Sequence, residues 1–177
     1  YTTPLLRSFL TPLTVSADSA KKVYDGSAGV VTGVSYSDVN YDASKIAGTL
    51  DWSGSGNVGE YALIGLSTTG QQGYLISYDS AAKLTITPKE LTTTLTGSAA
   101  KVYDGNRTAT LTGANYAFTG LVSGDTVSVA GTAAYADQNV GSGKDVTVSG
   151  MTLTGADAGN YQLASTTLSG NIGSIKP

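Results

Sequence analysis

The chain has 177 residues, of which only 13% are charged, and its formal net charge at pH 7 is −3. A weakly acidic chain without a basic cluster is poorly suited to nucleic acid or to an anionic membrane surface, and no stretch approaches the roughly 18 consecutive apolar residues of a membrane span. The sequence has neither Cys nor His, which excludes disulfides, thiolate chemistry and imidazole catalysis and leaves zinc without its usual ligands.

The composition predicts an all-β, mainly antiparallel protein. Val, Thr, Tyr and Ile occur in short runs between the 23 Gly and the Asp residues, which is the punctuation of strands and turns. Every acidic residue except Glu60 and Glu90 is Asp, a residue that favours turns over helices. Because the sequence opens at Tyr1 rather than Met, we expect a segment of a longer protein.

In chain order, the first half reads as short strands with one helical turn. The apolar pairs that alternate along its predicted strands are Leu13/Val15, Leu50/Trp52 and Leu84/Ile86. The string KVYDG at 22–26 predicts a strand that ends in a turn. Residues Tyr41–Gly48 predict a single helical turn that ends at Gly48.

The second half repeats this plan. Its predicted strands carry Val127/Val129, Val146/Val148, Met151/Leu153 and Leu168/Gly170/Ile172. Ser149-Gly150 predicts a β-bulge or a tight turn between two of these pairs. The stretch Leu121–Asp125, which corresponds to the helical turn of the first half, predicts a plain turn.

Four strings recur in the same order in both halves. They are KVYDG (22–26 and 101–105), Asn-Val-Gly (57–59 and 139–141), a Tyr-centred string (73–75 and 160–162) and Ile-x-Pro (86–88 and 175–177). Length differences fall between these anchors, as insertions in loops do, so the anchors mark a framework.

We therefore predict two tandem domains, residues 1–89 and 90–177, each sandwich-like or β-grasp-like. The helical turn is the only local hint for the β-grasp alternative. Because Pro88 fixes its own backbone and disfavours helix before it, we expect an extended, fairly stiff joint.

The repeated pentapeptide has a structural and a functional interpretation. In the structural one, Gly supplies a positive φ, Asp bonds nearby backbone N–H groups, and Tyr packs its ring on the core with its hydroxyl at the rim. In the functional one, Tyr and Asp contact a ligand. We favour the structural turn, with Lys22 and Lys101 solvated. The turn residues are Tyr24, Asp25 and Gly26 in the first copy and Tyr103, Asp104 and Gly105 in the second.

A ligand site is predicted at Tyr36, Tyr41 and Trp52, whose rings could stack on a sugar if they share an exposed face. The alternative is that Trp52 lies on a core strand. Calcium is a further alternative, since Asp and Asn oxygens cluster at 38–42 and 155–160, but neither cluster has the terminal Glu of a calcium loop. We predict plain turns there, with no metal and no cofactor.

Nothing in the sequence points to catalysis, so we expect a protein that is not an enzyme. Ser residues have no His base, and most Asp residues lie among turn signals. Asn106-Arg107-Thr108 is a glycosylation sequon by pattern, although Asn106 is also suited to completing the turn. A Lys–Asn isopeptide bond beside an acid remains open, because no spacing singles out a pair.

Longer strings resemble a known family. AKKVYDG…NVGEY…GYLI…LTITP resembles the MBG-type repeat, and AKVYDGNRTATLTG…LVSGDTVSV…AYADQNVG…LTGADAGNY…IKP resembles the YDG repeat. Such repeats occur in tandem in filamentous-haemagglutinin-like bacterial adhesins exported by two-partner secretion. The resemblance implies an extracellular, cell-surface segment that acts as a stalk or spacer in adhesion or biofilm formation, next to further repeats of the same chain. Its implied alternative is a module that binds a glycan or a surface protein.

Overall fold

The computed structural model describes residues 10–68 and 73–177. The chain divides into two units, Tyr1–Thr87 and Pro88–Pro177. Both units are all-β with mainly antiparallel strand pairing, so the predicted fold class is confirmed. Among the described residues, no helical segment exceeds three residues, and the sheets follow the sandwich-like alternative rather than the β-grasp one.

The described residues of unit 1 form seven strands. They are β1 (Thr11–Ser16), β2 (Ala20–Val23), β3 (Ser35–Tyr36), β4 (Ile46–Trp52), β5 (Gly59–Thr68), β6 (Tyr74–Tyr78) and β7 (Lys83–Thr87). The smaller sheet has the order β3-β1-β6, and the larger has the order β2-β7-β5-β4. Two of the pairings, β1 with β6 and β2 with β7, are parallel, and the others are antiparallel.

Unit 2 has eight strands. They are β8 (Lys89–Leu95), β9 (Ala99–Val102), β10 (Thr108–Ala109), β11 (Tyr116–Thr119), β12 (Ser128–Tyr135), β13 (Gly141–Thr154), β14 (Tyr161–Leu163) and β15 (Leu168–Lys176). The smaller sheet has the order β11-β8-β14, and the larger has the order β10-β12-β13-β15-β9. Again the first strand is parallel to the penultimate one and the second strand is parallel to the last.

The sequence anchors occupy equivalent places in these two sheets. Gly59 begins β5 and Gly141 begins β13, while Tyr74 begins β6 and Tyr161 begins β14. The edge strand β10 has no counterpart among the described strands of the larger sheet of unit 1. The repeat therefore extends from the sequence to the strand order, with one strand added in the second copy.

Each unit has its own apolar core, built from alternating side chains on facing strands. In unit 1 the buried apolar residues include Leu13, Val15, Trp52, Leu63, Leu84 and Ile86. In unit 2 the core cluster includes Ala99, Ala133, Tyr135, Val146, Val148, Met151 and Ile175. The predicted apolar pairs on β1, β7 and the first part of β13 thus face inward, because alternate residues of a strand share one face.

A β-bulge in β13 keeps its core face apolar. Gly150 has φ +61°, and the register against β12 shifts at this point, with Ala130 opposite Thr152 and Thr132 opposite Ser149. The extra residue changes the alternation, so that Met151 rather than Gly150 follows Val148 into the core. The sequence left open a bulge or a tight turn, and the structure has the bulge.

The helical turn predicted over Tyr41–Gly48 is shorter than expected. A 3₁₀ turn covers only Ala43–Lys45, and Ile46 is already extended. Gly48 lies inside β4, with φ +91°, where a Cβ would come within 2.1 Å of the Gly65 carbonyl oxygen. Gly48 therefore serves a close approach of two strands and does not end a helix.

Candidate functional site: the repeated turn and the tyrosine pair

The first copy of the pentapeptide forms a turn closed by its own side chains. Lys22 extends from β2 and places its Nζ 2.8 Å from Asp25 Oδ1, and the same ammonium donates to the Ser27 carbonyl at 3.0 Å. Asp25 Oδ1 also accepts the Ser27 backbone N–H at 2.9 Å and the Ser27 hydroxyl at 2.7 Å. One carboxylate therefore holds both the strand and the residue that follows the turn.

The second copy repeats this arrangement with a different closing residue. Lys101 Nζ lies 2.8 Å from Asp104 Oδ1 and donates to the Asn106 carbonyl at 2.7 Å. Asp104 Oδ1 accepts the Asn106 N–H at 3.0 Å. The Asn106 side-chain oxygen accepts from Lys101 Nζ at 2.9 Å and from the Thr108 N–H at 3.0 Å, which carries the turn toward β10.

The glycines give these turns their backbone shape. Gly26 has φ +80° and Gly105 has φ +77°, the left-handed region in which an L-residue with a Cβ is strained. A Cβ on Gly105 would meet only the Tyr103 hydroxyl, at 4.0 Å, so conformation rather than space requires glycine there. The geometry is that of a strand-terminating turn.

The two lysines are part of the turn, and the expectation that they are solvated is wrong. Their side chains are only 23% and 17% exposed, for Lys22 and Lys101 respectively. The Lys22 ammonium, as a hydrogen-bond donor, holds the pKa of Asp25 below its usual range, and Ser27 adds to the effect. In the same way, the hydrogen bond from Lys101 lowers the pKa of Asp104, and the hydrogen bond from the Asn106 N–H lowers it further.

The tyrosines of the two copies share a backbone role but not a side-chain role. The Tyr24 N–H donates to the Thr87 carbonyl at 2.9 Å, and the Tyr103 N–H donates to the Lys176 carbonyl at 2.8 Å. Tyr24 is buried, whereas half of Tyr103 is exposed. What the two copies have in common at this position is the hydrogen bond to the last strand of the unit.

The three aromatic residues predicted as a sugar platform do not form one surface. Tyr36 and Tyr41 stack on each other, with ring centroids 4.0 Å apart and an angle of 29° between planes, and both are partly exposed. Trp52 is 2% exposed on β4, as the core alternative expected, and its ring offers no face to a ligand. Burial raises the pKa of Tyr36, and the adjoining Tyr41 adds to the rise.

The acidic loops that could have suited calcium use their carboxylates to hold backbone. Asp38 accepts the Asn40 N–H at 2.9 Å, Asp42 accepts the Ser44 N–H at 3.0 Å, and Asp157 accepts the Thr126 N–H at 2.7 Å. Within residues 10–68 and 73–177, no three metal-type side chains come together. These loops have the chemistry of turns.

Sequence reasoning missed the role of a buried tyrosine in each unit. The Tyr74 hydroxyl accepts the Asp42 N–H at 2.7 Å, and the Tyr161 hydroxyl accepts the Val122 N–H at 2.9 Å while donating to Asp125. Each hydroxyl holds the loop between an edge strand of the smaller sheet, β3 or β11, and the next strand along the chain, β4 or β12. The signal was present, because both residues were anchors of the repeat, but their contacts depend on distant parts of the chain.

One Lys–Asn pair lies within hydrogen-bond distance, but the acid beside it does not suit the formation of an isopeptide bond. Lys101 Nζ lies 2.9 Å from Asn106 Oδ1, yet the neighbouring Asp104 side chain is 47% exposed. Amide formation would need an uncharged amine and a protonated acid, whereas the lowered pKa of Asp104 keeps that acid ionised at neutral pH. The pair instead forms charge-assisted hydrogen bonds.

Unit 2 is thus a β-rich repeat domain in which a Lys-x-x-Asp-Gly turn ends the second strand. Comparison with protein families agrees, because the YDG domain model matches residues 87–168, from the end of β7 to the first residue of β15. The match covers most of unit 2. No curated protein and no solved structure matches the chain. The described part of the chain has no helix with the length and apolar character of a membrane span.

Proposed function

We propose that the two units are spacer modules in the stalk of a secreted bacterial adhesin, with unit 1 an MBG-like relative of the YDG domain in unit 2. The proposal takes the extracellular adhesin setting from the family that the sequence resembles. The observation that carries it is that, in each unit, the first strand is parallel to the penultimate strand and the second strand is parallel to the last. A spacer needs the chain to enter at one end and to leave at the other, and this pairing provides that geometry.

In unit 2 the segment 89–102 lies beside the segment 161–176, and the two run in the same direction. Lys89 lies opposite Tyr161, and Val102 lies opposite Lys176. The start of the unit is therefore paired with residues well before its end, and the end is paired with residues well after its start. Strands advance about 3.3 Å per residue, so the segment 89–102 can separate the points where the chain enters and leaves by up to about 40 Å.

Unit 1 has the same construction. Thr11 lies opposite Tyr74 on β6, and Val23 lies opposite Thr87 at the end of β7. The same rise per residue puts Thr11 and Val23 up to about 40 Å apart. Two units with equivalent parallel pairings of their terminal strands would each add a similar length to a stalk.

The loops of the described residues also suit a spacer better than a catalyst. The carboxylates of Asp25, Asp42, Asp104 and Asp157 accept backbone N–H groups of their own loops or of an adjacent one. Groups used in this way stabilise turns and are not free to transfer protons or bind substrate. We therefore propose a structural role and no enzymatic one.

Small-angle scattering on the 177-residue chain tests the spacer. A compact protein of this length would have a radius of gyration of about 16 Å, whereas two 40 Å units in line would give about 25 Å. The matched control is a chain with a flexible Gly-Ser linker inserted at Pro88. A value near 16 Å, or scattering that the linker leaves unchanged, contradicts a stiff spacer.

A second candidate is a binding module, and the stacked tyrosines favour it. Tyr36 and Tyr41 form a preorganised aromatic pair, and Val39 between them in sequence is 89% exposed. A glycan array or a host-protein array on the full chain tests this, with Tyr41→Ser as the variant and Tyr103→Ser as the control at an exposed tyrosine of the other unit. Binding that survives Tyr41→Ser removes this site.

A further inference from the structure

We propose that each unit is a force-bearing module whose terminal strands are loaded in shear when the chain is pulled from its two ends. The inference rests on the proposed spacer function, because only in a stalk does tension reach the units through the chain on either side. Its basis is the direction and register of the strands at the start and end of each unit.

Unit 2 has one parallel ladder in each of its two sheets. Strand β8 pairs with β14 from Lys89 to Leu91, and β9 pairs with β15 from Ala99 to Val102. Between the two ladders, a Cβ on Gly170 would lie 2.8 Å from Leu95 Cβ, so the end of β8 packs against the early part of β15. The start of the unit is thus held to its end by three residue pairs in the smaller sheet and four in the larger, all with the same direction.

Direction decides how such a ladder breaks. Tension pulls β8 and β9 toward the amino end of the unit and β14 and β15 toward its carboxyl end, so each parallel pair, β8 with β14 and β9 with β15, is made to slide. The hydrogen bonds of a parallel ladder are evenly spaced along the strands, and sliding strains all of them together. Pulling both strands from the same end would instead peel the bonds apart one at a time. Forced unfolding depends on the barrier to opening, and the shared load makes that barrier higher.

In both units the repeated pentapeptide lies at the end of the ladder between the second strand and the last strand. The Tyr103 N–H to Lys176 carbonyl bond is the last contact of β9 with β15, and the Tyr24 N–H to Thr87 carbonyl bond is its equivalent in unit 1. Directly beyond it, the Lys101–Asp104 pair fixes the turn in which the chain leaves the sheet. The turn holds the ladder's final bond at the point where the load leaves the unit.

Single-molecule force spectroscopy on the full chain, flanked by marker domains, measures this property. Pulled from its termini, the chain should give two unfolding events, with length gains of about 240 Å for unit 1 and about 270 Å for unit 2 at 3.6 Å per extended residue. These lengths assign each event to its unit. The force of the unit 2 event is the reference value.

The decisive comparison changes only the direction of pulling. The chain has no Cys, so Val102→Cys provides a single attachment point on β9 opposite Lys176, at a side chain that is 65% exposed. Pulling between residue 102 and the carboxyl end peels β9 from β15, and we expect a force at least roughly two-fold lower, because about four ladder bonds then break in turn. Val102→Cys pulled from the termini is the control and should reproduce the reference force. Arg107→Cys, just past the turn, gives a second attachment point with the same expectation.

Equal unit 2 forces in the two directions overturn the proposal, as does a terminal-pulling force below the peeling force. Failure here is distinct from failure of the spacer. A chain that is extended in scattering but equally weak in both directions is a spacer without a force-bearing ladder. A chain that is compact in scattering but strongly direction-dependent keeps the ladder and loses the spacer.

Discussion

Replacing the glycine of the repeated turn tests whether the pentapeptide is a structural device. Gly105 has φ +77°, and its Cβ position has one neighbour, the Tyr103 hydroxyl at 4.0 Å. Gly105→Ala therefore adds no steric clash with another part of the unit and isolates the backbone cost. An L-residue in the left-handed region costs about 1 to 2 kcal/mol.

Calorimetry on the full chain measures the effect. For a domain of this size each kcal/mol shifts Tm by about 4 to 8 °C, so we expect the transition of unit 2 to fall by about 5 to 15 °C. Gly26→Ala should produce the same loss in unit 1, because Gly26 has nearly the same φ, +80°. Trp52, the only Trp of the chain, reports that loss by fluorescence.

Two further variants separate backbone strain from a general intolerance of substitution. Gly105→Asn should lose less than Gly105→Ala, because Asn enters the left-handed region more readily. Gly113→Ala is the control, since nothing lies within 4 Å of its Cβ position and its φ is not positive. Equal stability of Gly105→Ala and the wild-type chain, or equal losses for Ala and Asn at position 105, would refute the reasoning.

Three other predictions follow from contacts of the described residues. The pKa of Asp104 is lowered in the folded chain, so this carboxylate stabilises the fold above its unfolded pKa of about 3.9, and the stabilisation is lost as pH falls through its folded pKa. Lys101→Met should therefore weaken the fall in Tm between about pH 5 and about pH 2. An unchanged pH dependence of Tm contradicts this. Tyr161→Phe leaves the Val122 N–H without its acceptor and should cost about 1 to 3 kcal/mol in urea unfolding, whereas a neutral result would mean that water replaces the hydroxyl. Trp52 is 2% exposed, so acrylamide should quench it weakly in the folded chain and strongly in urea; strong quenching without urea would place the indole at the surface.

Much of the fold could be predicted from the sequence because its signals are local. The alternation of Leu13 with Val15 and of Val146 with Val148 predicted which side chains face the core. The Asp-Gly pair predicted a turn, since Gly and Asp have turn chemistry of their own. The bulge beside Gly150 was one of two readings of a glycine between two apolar pairs.

The parts that sequence reasoning missed depend on distant contacts or on side-chain reach. Lys22 and Lys101 looked like ordinary surface lysines, and only the folded turn brings their ammonium groups to Asp25 and Asp104. Trp52 was compatible with a core strand or a sugar platform, because a tryptophan ring can either pack in a core or stack on a ligand. A three-residue 3₁₀ turn could not be told from a longer one that ends at Gly48.

Strand direction is the feature that the sequence pattern could not supply and on which the functional proposals depend. Parallel and antiparallel partners leave the same alternation in a single strand, so nothing in 99–102 says that this strand runs alongside 173–176 in the same direction. The repeat nevertheless contained a clue, because its first anchor, KVYDG, and its last, Ile-x-Pro, are far apart in each half and meet in each unit. Lys22 lies opposite Ile86, and Lys101 lies opposite Ile175. Both anchors therefore belong to the same end of one ladder, and the two units share that end although their loops differ in length.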